Sequence, residues 1–235
     1  MERTESSAGR SVGARTAGVL LLVAGVLAVL QVTVGSGYTF ADDVPEIVMK
    51  IDGRSNEGFF TWVVFWGITW GLFAGGVAVL ALALSRAGSA VVGGLGVAAA
   101  TLTAIGATLR IADPAVLSAL VNRWPEETDR ITILTGSDVQ YVDPKLPLEV
   151  IDQIRFGLDQ TGYGVLAVAM FLLGVALCGA GRVLSPFVAA VPLLLGLYWI
   201  TGVADGDGVS PVVIAVGGPV LGASVLLAAR WRADL

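Results

Sequence analysis

Histidine is absent from this 235-residue chain, and cysteine occurs once, at Cys178. Without histidine the chain lacks the commonest zinc and copper ligand, the usual haem ligand and the usual general base. A lone cysteine excludes an intrachain disulfide and a thiolate cluster. No catalytic residue, metal site or cofactor is therefore expected. Charge is scarce as well: 14% of residues are charged, and the formal net charge is −5. A nucleic-acid partner needs clustered Lys and Arg, so none is expected.

Apolar residues fill the space. The chain is 55% hydrophobic with a mean hydropathy of +0.82, whereas an average soluble domain carries about 25% charged residues. Too few polar side chains are available to cover a water-soluble globule. The composition implies an integral membrane protein, all-α and polytopic, with residues 1–235 forming a single transmembrane domain.

About 20 apolar residues cross a bilayer core. Six stretches meet that length: 16–34, 59–84, 89–109, 161–179, 183–201 and 211–229. The first is too long for a signal peptide and is read as a retained helix. Arginines set the direction. Arg3, Arg10, Arg15, Arg86, Arg182, Arg230 and Arg232 crowd one side, with only Glu2, Glu5 and Asp234 as acids there. By the positive-inside rule that side is cytoplasmic, which puts both termini inside a plasma membrane. The other 16 acidic residues make the outer face anionic. Phe59, Phe60, Trp62, Tyr163, Tyr198 and Trp199 fall at outer helix ends, as expected for an interfacial belt.

Two outer loops, 35–58 and 110–160, are long enough to build a small helical extracellular cap. Asp113-Pro114 has the form of a helix start, with Asp as N-cap and Pro in the first turn. A short helix is expected over 115–124, with Pro125 as its stop. Residues 131–141 are β-branched and suit a hairpin or an irregular loop. Pro147–Leu158 reads as a helix running into the fourth span, with Val150, Ile151, Ile154 and Leu158 as its apolar stripe. In the first loop, residues 45–51 suit one or two helical turns.

The second and fourth spans echo each other at an offset of 93. Gly71, Ala74, Leu80, Ala83, Leu84, Ala87 and Gly88 match Gly164, Ala167, Leu173, Ala176, Leu177, Ala180 and Gly181. A duplicated helical hairpin would produce this, and it would place a binding site between the halves. Chance among Ala, Leu and Gly is the competing explanation.

One pattern suggests ligand binding. Phe59, Trp62, Trp66, Trp70 and Phe73 recur on one face of the second span. Such a ridge suits a lipid- or isoprenoid-like ligand, including a quinone; helix packing or lipid-facing rings are the plainer account. Gly67, Gly71 and Gly75 offer a flank for close helix approach. Gly93, Gly94, Gly96, Thr101, Thr103 and Thr108 give the third span the small and hydroxyl residues of ordinary helix packing. Gly217, Gly218 and Pro219 suggest a hinge in the last span. No ionisable residue falls deep in a span, and Arg110 stands only at an outer end, which argues against an ion-coupled pump. Asp42, Asp43 and Glu46, and Glu126, Glu127 and Asp129, lack calcium-loop spacing and read as a solvated acidic face. Cys178 reads as a small packing residue.

Two stretches carry a family resemblance: Arg15-Thr-Ala-Gly-Val-Leu-Leu-Leu-Val-Ala-Gly, and Gly157-Leu-Asp-Gln-Thr-Gly-Tyr-Gly followed by a helix ending Gly179-Ala-Gly-Arg. They resemble a bacterial family of small six-helix integral membrane proteins whose function is not established, over about half of the chain. Gln160 stands where that family often has histidine. The resemblance implies six spans and supplies no catalytic residue. The expected partners are membrane lipids and a membrane protein. The functions to distinguish are binding of a lipid- or isoprenoid-like ligand, an accessory role in a membrane complex, and small-molecule transport.

Overall fold

The computed structural model describes residues 2–34, 56–87, 89–134, 145–180, 185–205 and 217–227. These are helical almost throughout. The helices are α1 (Glu2–Val34), α2 (Asn56–Ala87), α3 (Ala90–Leu134), α4 (Lys145–Gly179), α5 (Ser185–Asp205) and α6 (Gly217–Leu227). Four contain stretches long and apolar enough to cross a membrane: Val12–Gln31, Val63–Arg86, Ala90–Val116 and Gln153–Gly179. The apolar parts of α5 and α6, Val188–Thr201 and Gly217–Leu227, are shorter. Over the described residues the protein is thus all-helical, with four helices suited to a membrane.

Consecutive helices pack side by side from α1 to α5. α6 returns to α1: an added Cβ on Gly222 would meet Leu22 N at 2.6 Å, and one on Gly18 would meet Leu226 Cγ at 2.6 Å. Leu195 of α5 stands against Gly217 on the other flank of α6. Large apolar side chains such as Val19, Val23, Phe65, Ile68, Val97 and Leu194 point outward. This is the pattern expected where the surrounding solvent is hydrocarbon.

Lipid tails are as apolar as leucine, so helices gain little by hiding leucine from them; close backbone contact must hold the bundle. Glycine provides it, though not on the expected flank of α2. Gly71 and Gly75 have nothing within 4 Å of an added Cβ, and Gly67 only Ile111 at 3.9 Å. The contact with α1 falls instead on Gly76, against Leu21. The turn into α3 uses Gly93 and Gly96, against Ser85 and Ala81. Ser89 caps α3 by accepting a bond from Val92 N at 3.3 Å.

The expected break at Asp113-Pro114 does not occur. α3 runs unbroken from Ala90 to Leu134, through Pro114 and Pro125. A proline removes the N–H that would bond four residues back. For Pro114 that acceptor is the Arg110 carbonyl, and here another helix satisfies it. Trp66 Nε1 of α2 donates to Arg110 O at 3.1 Å. An indole thus stands in for the missing backbone donor, and the break becomes a tie between α2 and α3. Residues 131–134 are likewise helical rather than a hairpin; 135–144 lie outside the described residues.

α4 does begin ahead of its apolar span, as expected from Pro147–Leu158. Its apolar stripe is divided: Val150 and Ile154 are exposed, and Ile151 and Leu158 are partly buried. Val150 and Ile154 are about half exposed, while Arg155 is 5% exposed. In lipid an apolar face can turn outward and a polar face inward.

Candidate functional site

The polar face of α4 meets the last part of α3's apolar stretch. Arg110 pairs with Asp159, and Arg155 Nε donates to Asp113 Oδ1 at 2.8 Å. Arg110, Asp113 and Arg155 are 1%, 2% and 5% exposed. No ionisable residue is expected deep in a span, with Arg110 only at a span end; what the sequence does not foresee is that α3–α4 packing buries Arg110, Asp113 and Arg155 in two ion pairs, with Asp159 23% exposed. Asp113 accepts a guanidinium bond where the sequence suggested a helix cap. Counted at 1.5 Å per residue, Arg110 stands about 30 Å along α3 from its start. That is about the thickness of a hydrocarbon core, so the charges lie near one end of the apolar stretch Ala90–Val116 rather than at its middle.

Two glycines make this meeting close. An added Cβ on Gly106 would strike Leu166 Cγ at 2.6 Å and Gly162 O at 3.0 Å. One on Gly162 would meet Arg110 Cδ at 3.1 Å. The Arg110 stem therefore lies over the backbone of α4 at Gly162, next to Tyr163.

An aromatic layer adjoins the charges. The Arg110 guanidinium carbon is 4.2 Å from the Tyr163 ring centroid, 5.6 Å from that of Trp66 and 5.9 Å from that of Trp70. Three rings within about 6 Å are in range for cation–π attraction. Trp70, Phe73, Trp199 and Tyr163 then close a four-sided frame drawn from α2, α4 and α5. Its successive centroid distances are 5.9, 6.5, 5.9 and 6.4 Å. Trp66 and Trp70 meet edge-on at 5.9 Å.

Of the expected ridge, Trp66, Trp70 and Phe73 are at most 1% exposed and face this interior. The side chains of Phe59 and Trp62 lie outside the described residues. Tyr163 and Trp199, expected in the outer belt, are 1% and 0% exposed. The helical period of α4 and α5 turns them inward, and Tyr198 takes the outward position beside Trp199. Sequence reasoning missed their part in the site, although a signal existed. Trp70 and Tyr163 are 93 positions apart, the offset of the internal echo, and they face one another.

Several polar tips in this layer have no hydrogen-bond partner among the described residues: Trp70 Nε1, Trp199 Nε1, Tyr163 OH and both amide atoms of Gln160. Buried polar groups are normally bonded, because desolvation without a partner costs about 1–3 kcal/mol each. Having no partner distinguishes these groups from other buried polar positions. Thr103, for example, is buried yet donates to Ala99 O at 2.7 Å within its own helix. Thr69 has its one hydroxyl proton within reach of two acceptors, Phe65 O at 2.9 Å and Gln31 Oε1 at 3.1 Å.

The remaining expected features bear less on the site. Gly217, Gly218 and Pro219 open the described part of α6, and Pro219 Cδ lies only 2.0 Å from an added Cβ on Gly25. Residues 211–216, needed to judge a hinge, lie outside the described residues, as do 42–46. Among the described residues no group of three potential ligands could hold a metal. Cys178 is exposed at the C-terminal end of α4 rather than packed.

No protein family, curated protein or solved structure matches the chain. The site must be read from its own chemistry.

Proposed function

We propose that this is a non-catalytic, multi-pass protein of the plasma membrane that binds a lipid- or isoprenoid-like ligand in its outer aromatic layer. In this reading the chain crosses six times, with α5 and α6 completing the shorter apolar stretches, and both termini are cytoplasmic. The observation that carries it is the set of partnerless polar tips on Trp70, Tyr163 and Trp199, each on a different helix. A purely structural aromatic core would place phenylalanine there, or provide a carbonyl for each indole, as Arg110 O does for Trp66. A bound molecule with an apolar body and a polar end would satisfy these tips while remaining in the membrane.

Mass spectrometry of lipids retained after mild purification tests the proposal. A stoichiometric lipid is expected, and Trp70→Ala is expected to lose it. A lipid content unchanged by that substitution counts against the reading. A stoichiometric protein partner with no lipid would favour an accessory subunit. The transporter reading draws on the buried charges: ionisable groups inside a membrane bundle commonly mark a substrate path. Vesicle uptake abolished by Asp159→Asn would support it.

A further inference from the structure

We infer that the ligand's polar end is an uncharged hydrogen-bond acceptor, of the kind a quinone ring carries on its carbonyls, and that Trp70, Trp199 and Tyr163 donate to it. This inference rests on the ligand reading above and adds the chemical class of the head group. Two separate features support it.

The first is charge. The only described charged groups beside the aromatic layer are two arginines and two aspartates, joined in pairs. Their formal sum is zero. An anionic head such as a phosphate would have to compete with Asp159 for Arg110 at close quarters, and like charges in a poorly solvated site repel strongly. A cationic head would meet Arg110 already lying over the three ring faces it would use. A neutral head avoids both conflicts.

The second is donor type. An indole N–H can donate and cannot accept. Trp70 and Trp199 are both 0% exposed and both end in such a group without a partner. Tyr163 OH and the Gln160 amide can donate as well. The layer therefore presents more donors than acceptors, among rings packed against one another at centroid distances of 5.9–6.5 Å. With these side chains at most 1% exposed, a head group has to part the rings to reach the donors. A flat ring with carbonyl oxygens would then offer apolar faces to the parted rings and acceptors to the donors.

Three probes with the same tail separate the possibilities: a decyl-substituted 1,4-benzoquinone, decylbenzene and decyl phosphate. Binding to the full chain in lipid nanodiscs is measured by equilibrium titration and native mass spectrometry. The quinone is expected to bind about tenfold or more tighter than decylbenzene, which two to three good hydrogen bonds would supply. Decyl phosphate should not displace it. Trp70→Phe with Trp199→Phe keeps the rings and removes both N–H groups; it should bring the quinone down to the decylbenzene level and leave decylbenzene unchanged. Equal binding of quinone and decylbenzene would overturn the head-group inference while leaving the ligand reading in place. Preference for decyl phosphate would also overturn it. Saturable binding of none of the three would remove the ligand reading itself. Should the double variant not fold, the comparison of probes on the unaltered chain still decides.

Discussion

The α1–α6 seam and the α3–α4 seam join helices by opposite means. Along α1–α6, glycines let the chains touch: Gly18 and Gly25 on one side, Gly218 and Gly222 on the other. Along α3–α4, Gly106 and Gly162 begin the same way, but two ion pairs finish the contact, and an indole bond from α2 ties the same stretch of α3 on its other flank. The first seam needs only shape. The second carries polar groups that must be satisfied, so it is held more specifically and fails more severely when one partner is lost. Function is expected at the second kind of seam, because chemistry has to be positioned there.

The largest break in this comparison should come from Asp113→Ala, which removes the carboxylate that Arg155 holds. Disrupting one side of a buried pair costs about 3–5 kcal/mol. A large drop in the thermal unfolding midpoint in detergent is expected, and Asp113→Leu with Arg155→Met should recover most of it. A seam built on shape should suffer less from one methyl group. Gly222→Ala places a carbon 2.6 Å from Leu22 N and 2.8 Å from Gly18 O, backbone atoms that cannot swing aside. Overpacking of this kind costs about 1–3 kcal/mol, read in the same unfolding assay.

Smaller again is the indole tie. Trp66→Phe leaves the Arg110 carbonyl without its N–H and should cost about 1 kcal/mol from the hydrogen bond, beyond any packing loss. The diagnostic comparison is with Pro114→Ala, which restores a backbone donor. In that background the cost of Trp66→Phe should shrink, and a double-mutant cycle measures the difference. A cycle with no coupling would mean that the indole does not replace the proline's missing donor. The smallest effect belongs to Gly71→Ala on the lipid-facing side of α2. Nothing lies within 4 Å, so a change within about 0.5 kcal/mol is expected, on the stabilising side because alanine favours helix.

The helices themselves were legible from hydropathy, because every span must be apolar over a fixed length. The Trp66–Trp70–Phe73 face was legible too, since helical period alone puts those rings on one side. Tyr163 and Trp199 were not. Each stands near an outer helix end, where an interfacial residue and an interior one have the same sequence neighbourhood, and only rotation of the helix decides between them. The direction of the stripe on α4 was not legible for a related reason: periodicity identifies two faces of a helix but does not say which one meets lipid. Pro114 was read as a boundary because local chemistry makes it one. The donor that restores the helix comes from 48 positions earlier in the chain.

Composition alone determined that this protein belongs in a membrane, since 14% charge cannot clothe a globule in water. It also determined that no histidine or paired thiol takes part in its chemistry. Tertiary structure decided where Arg110, Asp113, Arg155 and Asp159 go. Sequence places them at helix ends, and the close glycine contact between α3 and α4 turns those ends into a buried, electrically balanced layer over five aromatic rings. Burial is a property of neighbours, and those neighbours are distant in the chain.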